Sequence, residues 1–177
     1  MRTNAFNDGR SFQKEIELTL SGYENRGMAR MAKVDPPVRI FGGGGSRKVL
    51  FTANPWLDYA GVWTAQYGRA IFVEAKSTSS DRLPINRHGG LTESQWTAMR
   101  AWRRAGAACA LLWKFDRRVA LFVPEMLDEA IRAGEISVRF DEGRAVENGQ
   151  GKVLWDFLST LSDVLWPGQK KVENVVA

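Results

Sequence analysis

The stretch Asp58-Tyr59-Ala60-Gly61-Val62-Trp63, followed after five turn residues by Arg69-Ala70-Ile71-Phe72-Val73-Glu74-Ala75-Lys76, decides the fold of this chain. Both halves have the apolar character of strands, and residues 64–68 between them end in glycine, which is typical of a turn. If Trp63 pairs with Arg69, Asp58 lies opposite Glu74 on one face of a hairpin. Only a shift by an odd number of residues would separate them.

Lys76 shares that face, because side chains two residues apart on a strand point the same way. Two carboxylates and an ammonium group form a plausible site for a hard cation and for phosphate chemistry, with the main-chain carbonyl of Ala75 as a third oxygen ligand. The Glu-x-Lys pattern is a weak signal when taken alone. A charged strand end that is simply solvated is the alternative interpretation.

Composition narrows the function classes. The chain has 177 residues, of which 44% are hydrophobic, and this suits one globular domain over residues 1–166 with a flexible tail at 167–177. One cysteine and one histidine argue against a disulfide, a thiolate metal cage or a multi-histidine site. The formal net charge of +5 favours an anionic partner, nucleic acid first. No apolar run is long enough to cross a bilayer, and a cytoplasmic location is expected.

The remaining pattern predicts alternating helices and strands. Residues 1–8 are expected to be flexible, and a helix is expected from Gly9 to about Lys33. Residues 38–41 and 47–52 form a hairpin around the Gly42–Gly45 turn, and residues 77–90 form a loop. Thr92 caps a helix that runs to about Arg104, with Gln95 facing the core. After this helix the pattern predicts two strands (107–115 and 119–123), a short helix (124–133) and an edge strand (136–140). A polar stretch (141–152) and a last helix (152–166) follow.

This order predicts an α/β domain with a mixed sheet flanked by helices. The central strand is expected at residues 107–115, which are apolar on both faces. Gln95 lies on the core-facing side of its helix and is expected to hydrogen-bond into the pocket of Asp58 and Glu74.

Several motifs, in this order, resemble the RecU family of Holliday junction resolvases, which belongs to the PD-(D/E)XK nuclease superfamily. They are Asp58-Tyr59-Ala60-Gly61, Phe72 to Thr78, Leu83-Pro84-Ile85 and Gln95, preceded by Gly9, Phe12, Ile16, Tyr23, Gly27, Ala29, Lys33, Pro36 and Pro37. The resemblance covers roughly residues 9–123. The helix at 152–166 lies outside it.

The resemblance implies a restriction-endonuclease-like fold and a homodimeric, Mg²⁺-dependent endonuclease that resolves four-way DNA junctions in recombination and repair, with Mn²⁺ as a possible substitute. Asp58 and Glu74 would then be metal ligands, Lys76 the catalytic lysine and Gln95 a supporting residue. The family also implies a stalk, here residues 38–56, that enters the junction. Its Arg39, Arg47 and Lys48 would contact DNA, and a plain surface hairpin is the alternative.

The chain departs from the family pattern at two positions, one in the first predicted helix and one at the start of the helix that Thr92 caps. Gln13 stands where the family often has a glutamate, so Gln13 is a candidate for a further metal ligand, with Glu15 or Glu17 as substitutes that lie about 100° from the apolar face of the helix. Ser94 stands where the family has a histidine. Arg100, Arg103 and Arg104, with Arg117 and Arg118, are candidates for a phosphate-binding surface, although solvated arginines are the alternative. Trp56 and Trp63 are candidates for stacking on unpaired bases or for packing within the hairpin.

Two other functions remain open. A DNA-binding recombination accessory protein would hold branched DNA without cutting it, and Gln13 favours that hypothesis. A nuclease of the same superfamily with a different DNA substrate would share the chemistry and differ in the substrate alone.

Overall fold

The computed structural model describes residues 4–35, 38–41, 48–51, 57–85 and 89–168. Its helices are α1 (Asn4–Asn25), α2 (Glu93–Arg104), α3 (Pro124–Arg132) and α4 (Phe157–Leu165). Its strands are β1 (Arg30–Lys33), β2 (Val38–Phe41), β3 (Lys48–Phe51), β4 (Tyr59–Trp63), β5 (Arg69–Thr78), β6 (Arg82–Pro84), β7 (Ala108–Phe115), β8 (Arg118–Phe122), β9 (Ser137–Arg139) and β10 (Arg144–Val146).

A six-stranded sheet in the order β1-β4-β5-β7-β8-β10 forms the centre of the fold. The β5–β7 pair is parallel and the other pairs are antiparallel, so the sheet is mixed. Helices α1 and α4 pack against one face, and α2 and α3 pack against the other. The predicted α/β class, a mixed sheet flanked by helices, is confirmed, and β7 is buried on both faces along residues 108–113 as predicted.

The first helix differs from the prediction at both ends. It begins at Asn4, within the segment expected to be flexible, and it ends at Asn25. Gly27 has a φ of +65°, and the Met28 N–H donates to the Tyr23 carbonyl, which closes the helix in the way that a left-handed glycine commonly does. Residues 30–33, predicted to be helical, form β1 against β4. Met31 is still buried, but from a strand.

The predicted loop over residues 77–90 is wrong in its first half. Strand β5 continues to Thr78, because Ser77 and Thr78 still pair with Lys114 and Phe115 of β7. Strand β6 then pairs with β9 in a separate two-stranded sheet. The predicted edge strand at 136–140 is therefore present as β9, with a partner that lies more than fifty residues earlier in the chain.

The region after β9 was also predicted incompletely. The polar stretch at 141–152 contains β10, which pairs with β8 at the edge of the main sheet. The last helix begins at Phe157 rather than near residue 152, because the Asp156 side chain caps it by accepting from the Ser159 N–H. This helix buries Phe157, Leu158 and Leu161.

The predicted hairpin over residues 38–52 is present as β2 and β3, which pair with each other in a two-stranded sheet of their own. Residues 42–47 and 52–56, which include the glycine run, Arg47 and Trp56, lie outside the described residues, as do His88 and residues 169–177. None of the helices in the described part of the chain is long and apolar enough to cross a membrane.

Candidate active site

The register of the β4–β5 hairpin is the predicted one. Trp63 pairs with Arg69 and Tyr59 pairs with Val73, so Asp58, just before β4, lies opposite Glu74. The connecting turn uses a left-handed conformation at Tyr67 (φ 57°) and Gly68 (φ 74°). The Asp58 Oδ2 atom accepts a hydrogen bond of 3.0 Å from the Ala75 main-chain N–H, which fixes this carboxylate beside β5.

Glu74 is almost completely buried, with 1% of its surface exposed. The Lys76 Nζ atom lies 2.9 Å from Glu74 Oε1, and the Gln95 Nε2 atom donates to the same oxygen. Asp58, Glu74, Lys76 and Gln95 therefore meet on the face of the sheet that α2 covers. This is the arrangement that the sequence predicted for these four side chains.

Burial, together with the nearby Asp58 carboxylate, raises the pKa of Glu74 to about 7, although Lys76 acts in the opposite direction. Transfer of a carboxylate out of water disfavours its charged form, and a second negative charge adds to that cost. A positive charge placed between the two carboxylates would relieve both effects. The electrostatics of the pair therefore favour a bound cation.

The donor set fits a hard divalent cation. Asp58 and Glu74 offer carboxylate oxygens, and Ala75 offers a main-chain oxygen between Glu74 and Lys76. Mg²⁺ is commonly held by one or two carboxylates while it keeps several of its waters. Among the described residues, no group of three or more histidine, cysteine, aspartate or glutamate side chains could hold a metal ion. A metal bound here would thus depend on two carboxylates, a carbonyl and water.

Helix α2 delivers Gln95 through its N-terminal capping box. The Thr92 side chain accepts from the Gln95 N–H at 3.3 Å, and the Gln95 Oε1 atom accepts from the Thr92 N–H at 3.0 Å. Because the amide oxygen is held in this way, the amide nitrogen points toward Glu74. The same side chain thus starts the helix and positions the buried carboxylate.

Comparison with protein families gives a match to RecU, described as Recombination protein U, over residues 7–135. The chain belongs to the RecU family. Comparison with curated proteins finds no match. Among solved structures, the chain is similar to Hjc from Archaeoglobus fulgidus, a Holliday junction resolvase from an archaeal hyperthermophile, with 17% sequence identity and a TM-score of 0.47. The similarity covers 77% of this chain and 95% of that chain.

The RecU match includes all four residues of the candidate site, and it ends just after α3. Strands β9 and β10 and helix α4 lie beyond it. This C-terminal segment, residues 136–168, nevertheless belongs to the same core, since Val146, Phe157 and Leu161 pack in one cluster with the apolar face of α1.

Among the candidates for a further ligand on α1, Glu15 is not brought to the site. Helix α1 packs on the face of the sheet opposite to Glu74. Glu15 accepts from Lys114 Nζ at 2.6 and 2.7 Å and from the Trp155 indole at 3.0 Å. The Gln13 side-chain oxygen accepts from Lys33 Nζ at 3.4 Å. The structure therefore corrects the suggestion that Glu15 joins the two carboxylates, while Gln13 as a ligand stays a prediction.

The arginines predicted to contact DNA from α2 are largely engaged within the protein. Arg100 lies 3.3 Å from Asp128 and stacks over the Trp96 ring, and Arg103 lies 2.7 Å from Glu125. Both carboxylates belong to α3, so these ion pairs join the two helices. Arg104 is exposed.

The other residues predicted to contact nucleic acid lie outside α2. Arg39 and Lys48 lie on β2 and β3, and Arg47 is outside the described residues. Trp63 is buried, and the centroid of its ring lies 5.6 Å from that of the Trp166 ring. This contact favours a packing role for Trp63 over base stacking.

Sequence reasoning missed the cluster of Glu15, Lys114 and Trp155. Lys114 and Trp155 lie 99 and 140 positions after Glu15 in the chain. No periodicity or capping signal connects residues at such distances. The only local hint was the placement of Glu15 away from the apolar stripe of α1.

Proposed function

We propose that the protein is a Mg²⁺-dependent, structure-selective DNA endonuclease that resolves four-way (Holliday) junctions by paired nicks. The observation that carries the proposal is the meeting of Asp58, Glu74 and Lys76 on one face of the β4–β5 hairpin, with Gln95 on Glu74. Membership of the RecU family supports DNA recombination as the setting.

Asp58, Glu74 and the Ala75 carbonyl would hold the metal. A bound Mg²⁺ supplies charge neutralisation at the phosphate and activates water for hydrolysis, and Mn²⁺ offers the same coordination chemistry. Gln95 fixes the rotamer of Glu74, and the Ala75 N–H fixes Asp58, so both carboxylates are oriented before substrate binds. Lys76, with its ammonium beside Glu74, is positioned to orient the attacking water or to stabilise negative charge on the phosphate.

Cleavage of a labelled four-way junction, beside a duplex of matched sequence, tests the proposal with Mg²⁺, Mn²⁺ and EDTA in parallel. Asp58→Asn and Lys76→Ala are each expected to lower the nicking rate at least about 100-fold, because each removes a charge at the reacting phosphate. Junction binding, measured in EDTA, is expected to survive.

Asp141→Asn and Lys152→Ala, at exposed positions, are the charge-matched controls and are expected to cleave normally. Undiminished nicking by Asp58→Asn or Lys76→Ala would remove these residues from the mechanism.

A branched-DNA-binding accessory protein is the second candidate. The observation that favours it is the position of Glu15, which pairs with Lys114 and leaves two carboxylates at the site among the described residues. Tight junction binding with no cleavage in either metal would identify this function. A nuclease with another substrate is separated by comparing linear duplex, flap, fork and junction substrates.

Paired nicks need two active sites, so we also propose a homodimer. Light scattering at the concentration used for cleavage measures this directly. A strictly monomeric particle that still makes paired nicks would contradict the proposed assembly.

A further inference from the structure

A cavity of about 560 Å³ opens at the C-terminal end of β5, beside the β6–β9 sheet. Pro84 and Ile136 give part of its wall an apolar surface, and the polar groups that the described residues contribute are hydroxyls and one guanidinium. These polar residues are Ser77, Thr78, Ser79, Ser80, Ser137 and Arg82. None of the described residues that line this cavity is acidic, so an anion inside it meets hydroxyl and guanidinium groups without a carboxylate.

The cavity lies along β5 from the candidate active site. Thr78 lies two residues after Lys76 on the same face of β5, about 7 Å further along the strand. The buried Trp113 indole donates to Thr78 Oγ1 at 2.8 Å, and this hydroxyl donates to the Ser80 carbonyl at 2.6 Å. The wall nearest the site is therefore fixed to the core of the sheet.

Arg82 differs from the arginines of α2. Arg103 is neutralised by Glu125 at 2.7 Å, whereas no carboxylate of the described residues lies within ion-pair distance of Arg82. Its Nη1 atom donates to Ser137 Oγ at 3.4 Å, which directs the guanidinium along the cavity wall. Its positive charge is thus available for a partner outside the chain.

Two of the serines keep a donor for such a partner. Ser80 Oγ accepts from the Arg82 N–H at 3.1 Å, and Ser137 Oγ accepts from the Arg82 side chain. A hydroxyl that accepts through its oxygen still has its own hydrogen to donate. A guanidinium flanked by hydroxyl donors matches the geometry and charge of a phosphate group.

We propose that this cavity binds a backbone phosphate of the DNA strand that passes through the active site, with Arg82 as its cation and Ser80 and Ser137 as hydroxyl donors. The inference rests on the proposed function and deepens it, since it places a phosphate contact beside the cleavage site. Arg82 acts in positioning the substrate and does not touch the reacting atoms.

Arg82→Gln in the full-length protein tests the proposal through the salt dependence of junction binding, measured by fluorescence anisotropy in EDTA. Loss of one phosphate contact weakens binding severalfold and lowers the slope of log K against log salt by about one. Arg139→Gln is the matched control, because Arg139 is the cross-strand partner of Arg82 but lies 3.2 Å from Glu142. It is expected to leave the slope unchanged.

A junction with a neutral methylphosphonate at single backbone positions near the nick provides a second readout. One position is expected to weaken binding by the wild-type protein and to have no further effect on Arg82→Gln, as a double-mutant cycle requires of a direct contact. Circular dichroism melting confirms that both variants are folded. Equal effects of Arg82→Gln and Arg139→Gln, or no position with a coupled effect, would overturn the inference.

The outcome separates this inference from the proposed function. Normal, metal-dependent junction cleavage with an unchanged salt slope in Arg82→Gln overturns the phosphate subsite alone. Junction binding that depends on Arg82 in a protein that cuts no DNA supports the subsite and overturns the nuclease. A wild-type protein that does not bind DNA overturns both.

Discussion

Glu74 combines nearly complete burial with a negative partner, Asp58, and two donors, Lys76 and Gln95. A carboxylate in this setting costs free energy when it is charged and uncompensated. Such a cost is typical of groups that act on a ligand, because a bound cation recovers it. At the scale of single residues, the metal-free site therefore carries an electrostatic cost that a bound cation would reduce.

The electrostatic cost of charged Glu74 can be tested through the pH dependence of the free energy of unfolding of the metal-free protein. The pKa of Glu74 is raised from 4.5 to about 7, so the folded state binds the proton more tightly than the unfolded state. The stability that protonated Glu74 contributes is complete below about pH 4.5 and is lost as the pH rises toward 7. Glu74→Gln is expected to remove this loss, which amounts to roughly 3 kcal/mol.

Urea unfolding of wild type and Glu74→Gln in EDTA, at pH 5 and pH 8, measures the difference. The difference in unfolding free energy between Glu74→Gln and wild type should be more favourable to the variant at pH 8 than at pH 5. Glu135→Gln, at an exposed position, serves as the control. The same pH dependence in Glu74→Gln and wild type would show that Glu74 carries no such cost.

At the scale of elements, α2 links its own N-terminal cap to the chemistry of the site through Gln95. Both Thr92→Ala and Gln95→Ala remove part of the capping box, and each is expected to destabilise the protein by about 1 kcal/mol. Only Gln95→Ala also removes the donor to Glu74. Nicking should therefore fall markedly in Gln95→Ala and little in Thr92→Ala, in assays at a temperature where both are folded. Equal loss of activity in the two variants would mean that Gln95 acts through the helix alone.

Helix α1 holds the C-terminal segment through a buried hydroxyl. Tyr23 Oη accepts from the Leu158 N–H at 3.2 Å and lies 3.0 Å from the Trp155 carbonyl, to which it donates. Tyr23→Phe leaves the buried N–H without its partner, and a loss of about 1–3 kcal/mol in the free energy of unfolding is expected. Tyr67→Phe, at a residue that is 94% exposed, should leave stability unchanged. Urea denaturation compares the two, and equal stability of both variants would contradict the role of this hydroxyl.

At the scale of the whole molecule, the region that matches the RecU family and the segment beyond it form one core. Val153, Phe157, Leu158 and Leu161 pack with Phe12, Ile16 and Tyr23 in a single buried cluster. Without residues 136–168, this cluster would be open to water on the side that α4 covers, although α1 would keep its packing on β1 and β5. The family match therefore ends inside a shared apolar core rather than at its edge.

Truncation tests this. A chain that ends at residue 135 is expected to lose cooperative thermal unfolding and to bind a hydrophobic dye, because the side of the apolar cluster that α4 covers becomes exposed and β8 loses β10. A chain that ends at residue 168 is the control and should unfold like the full-length protein. Cooperative unfolding of the shorter chain, followed by circular dichroism, would show that the matched region folds alone.

Local patterns in the sequence predicted much of the site. Alternation along two strands, with a five-residue turn, predicts the register that brings Asp58 opposite Glu74, and that register is present. The capping signal at Thr92 predicts the start of α2, and the helical spacing of Gln95 with Met99 and Trp102 predicts the face on which Gln95 lies. These signals act between residues that are close in the chain or joined by one turn, so sequence alone carries them.

Other features required the tertiary structure. Residues 30–33 continue the spacing of α1 but form β1, because the backbone groups of β4 need a partner on that side and Gly27 allows the chain to leave the helix. Glu15 is a ligand candidate by sequence, yet Lys114 and Trp155, 99 and 140 positions away, hold it on the other face. Arg82 lies in a predicted loop, and only the β6–β9 pairing directs its charge along a cavity.

By itself, the sequence determined the α/β class, the β4–β5 register and the face on which two carboxylates, a lysine and a glutamine meet, because periodicity, turns and caps are encoded within a few residues. The tertiary structure alone decided where α1 ends, which charges are neutralised and how residues 136–168 complete the core. Those outcomes depend on contacts between distant segments, where burial and pairing outweigh local preference.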